Sequence, residues 1–380
     1  MKLEPFLFRS EDEVTTEIIR ILERFKNTFD RTLSPENFDA LLDSLLFEYK
    51  RNISKREQAD KKTKKLNLES LAFVLKKIYA ATDNFYTYTR LLESAAGCDS
   101  TFSLDREKLE LKYLFVDEAQ DLNVLFSRIL KRITTHNPTI QILVVGDRLQ
   151  AINGFIGANP EVAFGNQIPL FLKGSHSQKE YSLSTTYRMD KNIVDYVNEF
   201  TNSQARIFAQ KGKILPVNEM KALSSNIGGS FEHIVLDDEK PSIDLVLSKC
   251  NTLVAQTLDE NPEYTITFLS SKNHIYDNVN LNEFLRRLEA SKDTHKKKQI
   301  KASTIHRFKG LESDVVVILD ANSTNYPNYT QKGYENAFFD VTDDSIYLDG
   351  VCLFYVAITR AKHKLYAISS TEETSFLTPK

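Results

Sequence analysis

The sequence predicts an α/β protein with parallel sheets, preceded by a helical region. Three observations predict it. From Leu111 onward, short apolar runs alternate with amphipathic stretches, the pattern of strand–helix units that build parallel sheets with helices on their faces. Two of those runs, 113–116 and 141–145, end in acids and a glycine, as buried strands do where ligands gather at their C-terminal ends. Before Leu111 the apolar residues recur at helical spacing instead.

Composition bounds the reading. A chain of 380 residues, 41% hydrophobic and 27% charged, has room for two or three domains with sizeable cores. A net charge of −3 gives no global basic field, so a nucleic-acid site has to be a local groove. Cys98, Cys250 and Cys352 are widely separated and odd in number. They make neither a zinc spacing nor a disulfide framework, which fits a reducing cytoplasm. No apolar run reaches the roughly 18 residues that a membrane span needs, and acids fall too early for a signal peptide. No membrane partner is expected.

The elements follow in order. Residues 1–110 read as helices. Ser10 and Glu13 form a capping box ahead of Val14, Ile18, Ile21, Leu22 and Phe25. Ser34-Pro35 opens a second helix with an apolar stripe from Phe38 to Tyr49. The basic stretch 50–65 reads as a solvated linker or as a phosphate-contacting patch. Two more helices fill about 67–80 and 83–96. Strands are then expected at 113–116 and 141–145, in a block at 181–186, and at 231–236, 264–269, 301–304, 314–319 and 364–369. Helices are expected at about 122–133, 191–210, 281–288 and 350–361. The stretch 212–230, with Pro216 and Gly228-Gly229, is the best linker.

Chemistry collects at the strand ends. Asp117 and Glu118 follow the apolar run 113–116. Asp117 is placed to hold Mg²⁺ and Glu118 to orient or deprotonate a water. By itself the pair reads more readily as an acidic turn, with Asp121 as the N-cap of a following helix. The second strand ends in Gly146-Asp147-Arg148-Leu149-Gln150, where the Gln150 amide could meet a phosphate or a water. Phe155 lies between two glycines and could stack a nucleobase or pack into the core. Tyr187 and Arg188 end a strand block and suit a purine and a phosphate, or a plain surface pair. Thr304, His306, Arg307 and Lys309 follow another strand and suit a phosphate backbone, with Glu312 just beyond. Arg360 is a cation on a largely apolar element and needs a partner, either a nucleotide phosphate or a carboxylate.

Taken in order, DEAQD, GDRLQAINGFIGA, TTYR, STIHRFKGLE and YVAITRAK resemble motifs II to VI of the UvrD/Rep branch of superfamily 1 helicases, over about 113–369. The resemblance implies two RecA-like domains of the P-loop NTPase type that use ATP and Mg²⁺ and move along single-stranded or partly duplex DNA, usually 3′ to 5′. It divides the chain into a helical insertion (1–110), the remainder of a first RecA-like domain (111–211) and a second one (212–380). It implies that Asp117 and Glu118 take the metal and the water and that Gln150 senses the γ-phosphate. Tyr187 would stack adenine, and Arg188 and Arg360 would stabilise phosphate charge. Phe155, Thr304 and His306 would contact DNA, and Glu312 would lie at the nucleotide.

The departures are specific. No G-x-x-x-x-G-K-[ST] occurs in the sequence. Asn153 and Ile156 stand where the family has an aromatic and an arginine, and the second domain's large insertion has no counterpart. The resemblance therefore implies an ATP-dependent helicase lacking its phosphate-loop segment. The alternatives are a non-catalytic DNA-binding or assembly protein, or a subunit whose ATP site another protein completes.

Overall fold

A computed structural model describes residues 95–96, 111–154, 158–164, 179–223, 225–290, 299–328, 343–371 and 373–377. The chain divides into two compact units, 1–103 and 104–380, and the description below concerns the second. The helices expected before residue 94, and Phe155 and Ile156, lie outside the described residues.

The fold is α/β, and every strand among the described residues pairs in parallel. The unit opens with β1 (Tyr113–Val116), followed by a 3-10 turn, Ala119–Asp121. Helix α1 (Val124–His136) leads to β2 (Gln141–Val144). β2 lies parallel to β1, with Phe115 opposite Leu143. Asp121 does not cap α1. Asn123 does, its side chain accepting the Phe126 N–H at 3.0 Å, while the Asp121 carboxylate is engaged by Lys309. Leu114, Val116, Ile142 and Val144 pack with Ala119, Leu122, Leu130 and Val162. The other face of the pair carries Tyr113, Phe115, Leu143 and Val145, all exposed, Phe115 by 71%.

After a second 3-10 turn, Arg148–Gln150, and the short helix α2 (Glu161–Phe164), strand β3 (Thr185–Thr186) pairs in parallel with β4 (Lys221–Ala222). Between them runs α3 (Lys191–Gln210), which buries Ile193, Val194, Val197, Phe200 and Phe208 at helical spacing.

The remaining strands form one five-stranded sheet. They are β5 (Ser230–Val235), β6 (Ile266–Ser270), β7 (Ile300–Thr304), β8 (Ser313–Ile318) and β9 (Ala361–Ser369), in the order β5-β9-β8-β6-β7. Between them lie α4 (Ile243–Glu260), α5 (Leu281–Ala290), α6 (Ile305–Phe308) and α7 (Asp343–Ile358). β6 is buried at every residue and β8 at all but Asp314, as strands covered by helices on both faces must be. One face packs Phe268, Val315 and Val317 against α4 and α5. The other packs Val316 and Ile318 against α3 and α7, and this core also takes in Leu149 and Ile152. The expected strands and helices fall within a few residues of their sequence positions, with two larger differences, and α4 forms over a stretch where no helix is expected from the sequence. The block at 181–186 forms a strand only at its last two residues. Helix α7 begins at Asp343 and ends at Ile358, which leaves Arg360 in the turn before β9.

Candidate ATP and nucleic-acid site

β1 delivers Asp117 and Glu118 to its C-terminal end, both exposed. Glu118 sits in the left-handed region, φ 50°, ψ 42°, uncommon for a residue with a side chain. The turn is held by the Glu118 N–H donating to Asp117 Oδ1 at 2.8 Å and the Asp121 N–H to the Glu118 carbonyl at 2.9 Å. The Ala119 N–H then donates to the Val145 carbonyl at 3.0 Å, tying the turn to the end of β2.

A chain of hydrogen bonds leads away from Glu118. Its carboxylate accepts from the Gln120 amide nitrogen. Gln120, fully buried, accepts the Asp147 N–H at 3.1 Å through Oε1. Asp147 Oδ2 accepts from Gln150 Nε2 at 3.0 Å, and Gln150 Oε1 accepts from Arg360 Nη2 at 3.4 Å. Asp147 is the junction. It also caps its own 3-10 turn, accepting the Leu149 N–H at 3.0 Å, and takes the Tyr355 hydroxyl of α7 at 3.0 Å. Burial and the nearby Asp147 charge push the Tyr355 hydroxyl well above the usual phenol range.

The close pass of Gln120 beneath β2 explains Gly146. A Cβ there would lie 2.4 Å from Gln120 Oε1, 2.8 Å from the Phe164 ring and 3.0 Å from the Ala119 nitrogen. Gly146→Ala is expected to cost about 1–3 kcal/mol of stability by overpacking, measured by urea unfolding.

Arg360 is 1% exposed. Besides Gln150, it donates to the Val356 carbonyl at 3.0 Å, Thr359 Oγ1 at 3.0 Å and the Leu311 carbonyl at 3.4 Å. Burial, and then the neighbouring Arg188 charge, lower its pKa to about 10. Arg188 donates to the Thr359 carbonyl at 3.1 Å and to Glu312 at 2.9 Å. Glu312 also holds Lys362 at 2.9 Å. Hydrogen bonds from Arg188 and Lys362 hold its carboxyl below the usual range. Tyr187 is 76% exposed, its ring free of the core.

Thr304 stands at the start of α6 and His306 within it. The same helix ends at Lys309, whose ammonium reaches Asp121 Oδ2 at 2.7 Å and the Gln150 carbonyl at 2.8 Å.

The structure therefore brings Glu118, Gln150, Arg188, Glu312 and Arg360 into one connected network, with Asp117 adjoining and Tyr187 beside Arg188. Thr304 and His306 belong to the helix that Lys309 ties to this network. Sequence reasoning assigned no site role to Gln120, Asp147 or Tyr355, and it assigned Lys309 to a phosphate backbone, whereas its ammonium is held by Asp121 and the Gln150 carbonyl. Tyr355 read only as part of an apolar helix.

The described residues offer little coordination for an Mg²⁺ ion on their own. No group of three ligating side chains occurs among the described residues. Asp117 offers one exposed carboxylate, and Mg²⁺ commonly takes one or two carboxylates with phosphate oxygens and waters.

Comparison with known proteins places the chain. Residues 3–167 match the UvrD/REP helicase N-terminal domain, and residues 257–372 match the UvrD-like helicase C-terminal domain. DNA helicase IV of Escherichia coli is 27% identical over 267 residues, 70% of this chain and 34% of that protein. A probable DNA helicase of Mycoplasma pneumoniae is 27% identical over 307 residues, 78% of this chain and 51% of that protein. The chain thus spans between about a third and a half of the length of these curated relatives. The solved C-terminal domain of a possible DNA helicase from Lactobacillus plantarum covers 51% of this chain, and the chain covers 93% of it, at 15% identity and a TM-score of 0.31, too low to bear on the fold. With two helicase domain models matched in their expected order, the chain belongs to the UvrD/Rep-like family of superfamily 1 DNA helicases.

Proposed function

We propose that the chain is the motor portion of an ATP-dependent DNA helicase that moves 3′ to 5′ on single-stranded DNA, with its phosphate-loop segment supplied from outside these 380 residues. The observation that carries the reading is the hydrogen-bonded chain Glu118–Gln120–Asp147–Gln150–Arg360. It links a candidate water-orienting carboxylate to a buried arginine about 240 residues later, through an amide suited to sense a phosphate. Asp117 would hold Mg²⁺, and the bound ion would neutralise phosphate charge. Arg360 and Arg188 would face the transferring phosphoryl group. Tyr187 would stack the base, with Glu312 beside the nucleotide. Phe155, Thr304 and His306 would meet the DNA strand. The motor reading includes a cytoplasmic setting. No helix among the described residues is long and apolar enough to cross a membrane.

A specific observation favours completion by a further segment. The exposed face of Tyr113, Phe115, Leu143 and Val145 is apolar surface that a sheet normally covers. That segment would come from the same polypeptide or from a partner protein. A non-catalytic DNA-binding or assembly protein is the remaining reading, favoured by the missing phosphate-loop motif.

The test is ATP hydrolysis with and without single-stranded DNA. The 380-residue chain is expected to turn over ATP poorly. Joining or mixing a segment that carries G-x-x-x-x-G-K-[ST] is expected to raise turnover, and Arg360→Ala to remove it. Turnover indifferent to Arg360→Ala would overturn the motor reading. Binding of a labelled oligo(dT) is expected to weaken steeply with salt; no binding at low salt would overturn the DNA reading.

A further inference from the structure

Lys309 is a cation whose side chain is only 10% exposed. A buried ammonium is stable only when a carboxylate or several acceptors compensate it. Its two acceptors come from places far apart in the sequence. Asp121 Oδ2, at 2.7 Å, belongs to the 3-10 turn that begins at Glu118. The Gln150 carbonyl, at 2.8 Å, belongs to the 3-10 turn capped by Asp147. Lys309 itself ends the four-residue helix that carries His306. One ammonium therefore joins three elements, and each carries a residue of the network described above.

The acidic turn also depends on that ammonium. Asp121 Oδ1 is buried and has no hydrogen-bond partner, so Lys309 supplies the polar contact to this carboxylate through Oδ2. Asp121 is in turn tied to Glu118 by its own N–H, at 2.9 Å. Displacing α6 by a small distance would thus act on Asp121, and through Asp121 on the backbone of Glu118. Gly310 follows with φ 82° and open space around it, so the chain just after Lys309 turns sharply without packing restraint.

We infer that Lys309 is a positioning residue that couples α6 to the acidic turn after β1, so that a nucleic-acid strand bound at Thr304 and His306 reorients Glu118. The coupling rests on the proposed DNA role of α6. The ion pair itself does not.

The experiment is amide hydrogen exchange on the full chain, with β8 as internal reference, in wild type, Lys309→Met and the reversed pair Lys309→Asp with Asp121→Lys. In the free protein, exchange over 117–122 is expected to rise about ten-fold or more in Lys309→Met, with β8 unchanged. The reversed pair is expected to restore protection, which a packing role alone would not do. Unchanged exchange over 117–122 would overturn the inference, as would a rise shared by β8 that the reversed pair fails to repair. With oligo(dT) bound, wild type is expected to change over both 304–309 and 117–122, and Lys309→Met over 304–309 alone. The same response in both would overturn the coupling. If wild type does not bind oligo(dT), the DNA reading and the coupling fall together, and the free-protein comparison still decides the ion pair.

Discussion

Arg360→Met is expected to change folding stability by no more than about 2 kcal/mol while lowering nucleotide turnover about 10³-fold in a preparation that carries a phosphate loop. The two halves of that expectation have different causes. Burial is the largest influence on Arg360 and Arg188 adds to it, so the pKa falls from the usual guanidinium range to about 10. That depression corresponds to about 3 kcal/mol held against the charged form. The sign follows from linkage. The unfolded chain binds the proton more tightly, so stability rises as pH climbs above about 10, and the whole cost is present at neutral pH. Methionine removes the charge and keeps the apolar stem. Against this gain stand the acceptors it abandons, among them the Val356 and Leu311 carbonyls and Gln150 Oε1, each costing about 1–3 kcal/mol if left dry. The terms largely offset. Chemistry has no such compensation, because a thioether cannot stabilise phosphoryl charge. Urea unfolding and turnover are measured on the same protein. A loss of stability beyond about 4 kcal/mol would make Arg360 a structural residue.

Asp147→Ala and Asp117→Ala are expected to differ in stability by about 2–4 kcal/mol, although both acids follow apolar strands in the same way. Asp147 caps its turn and accepts from Gln150 and from the Tyr355 hydroxyl. Its removal leaves a buried phenol without its acceptor. Asp117 is exposed and accepts only the next residue's N–H among its recorded bonds, so its loss is expected to stay within about 0.5 kcal/mol. Equal unfolding midpoints for the two variants would show that the Asp147 junction is not formed in solution. Turnover of a completed motor is expected to fall in both, which separates a residue that holds the site from one that acts in it.

Much of this arrangement was legible from residue order. The strands at 113–116 and 141–144 were marked by apolar runs ending in acids, and α3 by its apolar stripe between Lys191 and Gln210. The strand pairing was not, because parallel partners such as β5 and β9 lie more than a hundred residues apart and no local pattern selects one register. The start of α7 was missed because its first turn is acidic and only the residues from Gly350 onward are continuously apolar. At the site, each acid, amide and arginine could be picked out by type, but not who holds whom. Arg188 was read as a phosphate clamp and in the free protein rests on Glu312 and the Thr359 carbonyl. Asp121 was read as a helix cap, whereas its carboxylate faces a lysine 188 residues away. Such partnerships depend on tertiary approach, which single-sequence spacing does not encode.

The strand order of the large sheet also sets a timetable for synthesis. β5 is made early, yet its neighbour is β9, and β9 in turn bridges β5 to β8. As the chain leaves the ribosome, β6, β7 and β8 can assemble while β5 still lacks its partner strand. Arg360 immediately precedes β9, and its carbonyl accepts the Ser313 N–H at the start of β8. The arginine therefore reaches Gln150 in the same step that closes the sheet. A nascent chain stalled before that step would carry the acids and the amide without the arginine, so the last sheet contact to form also completes the network around Gln150.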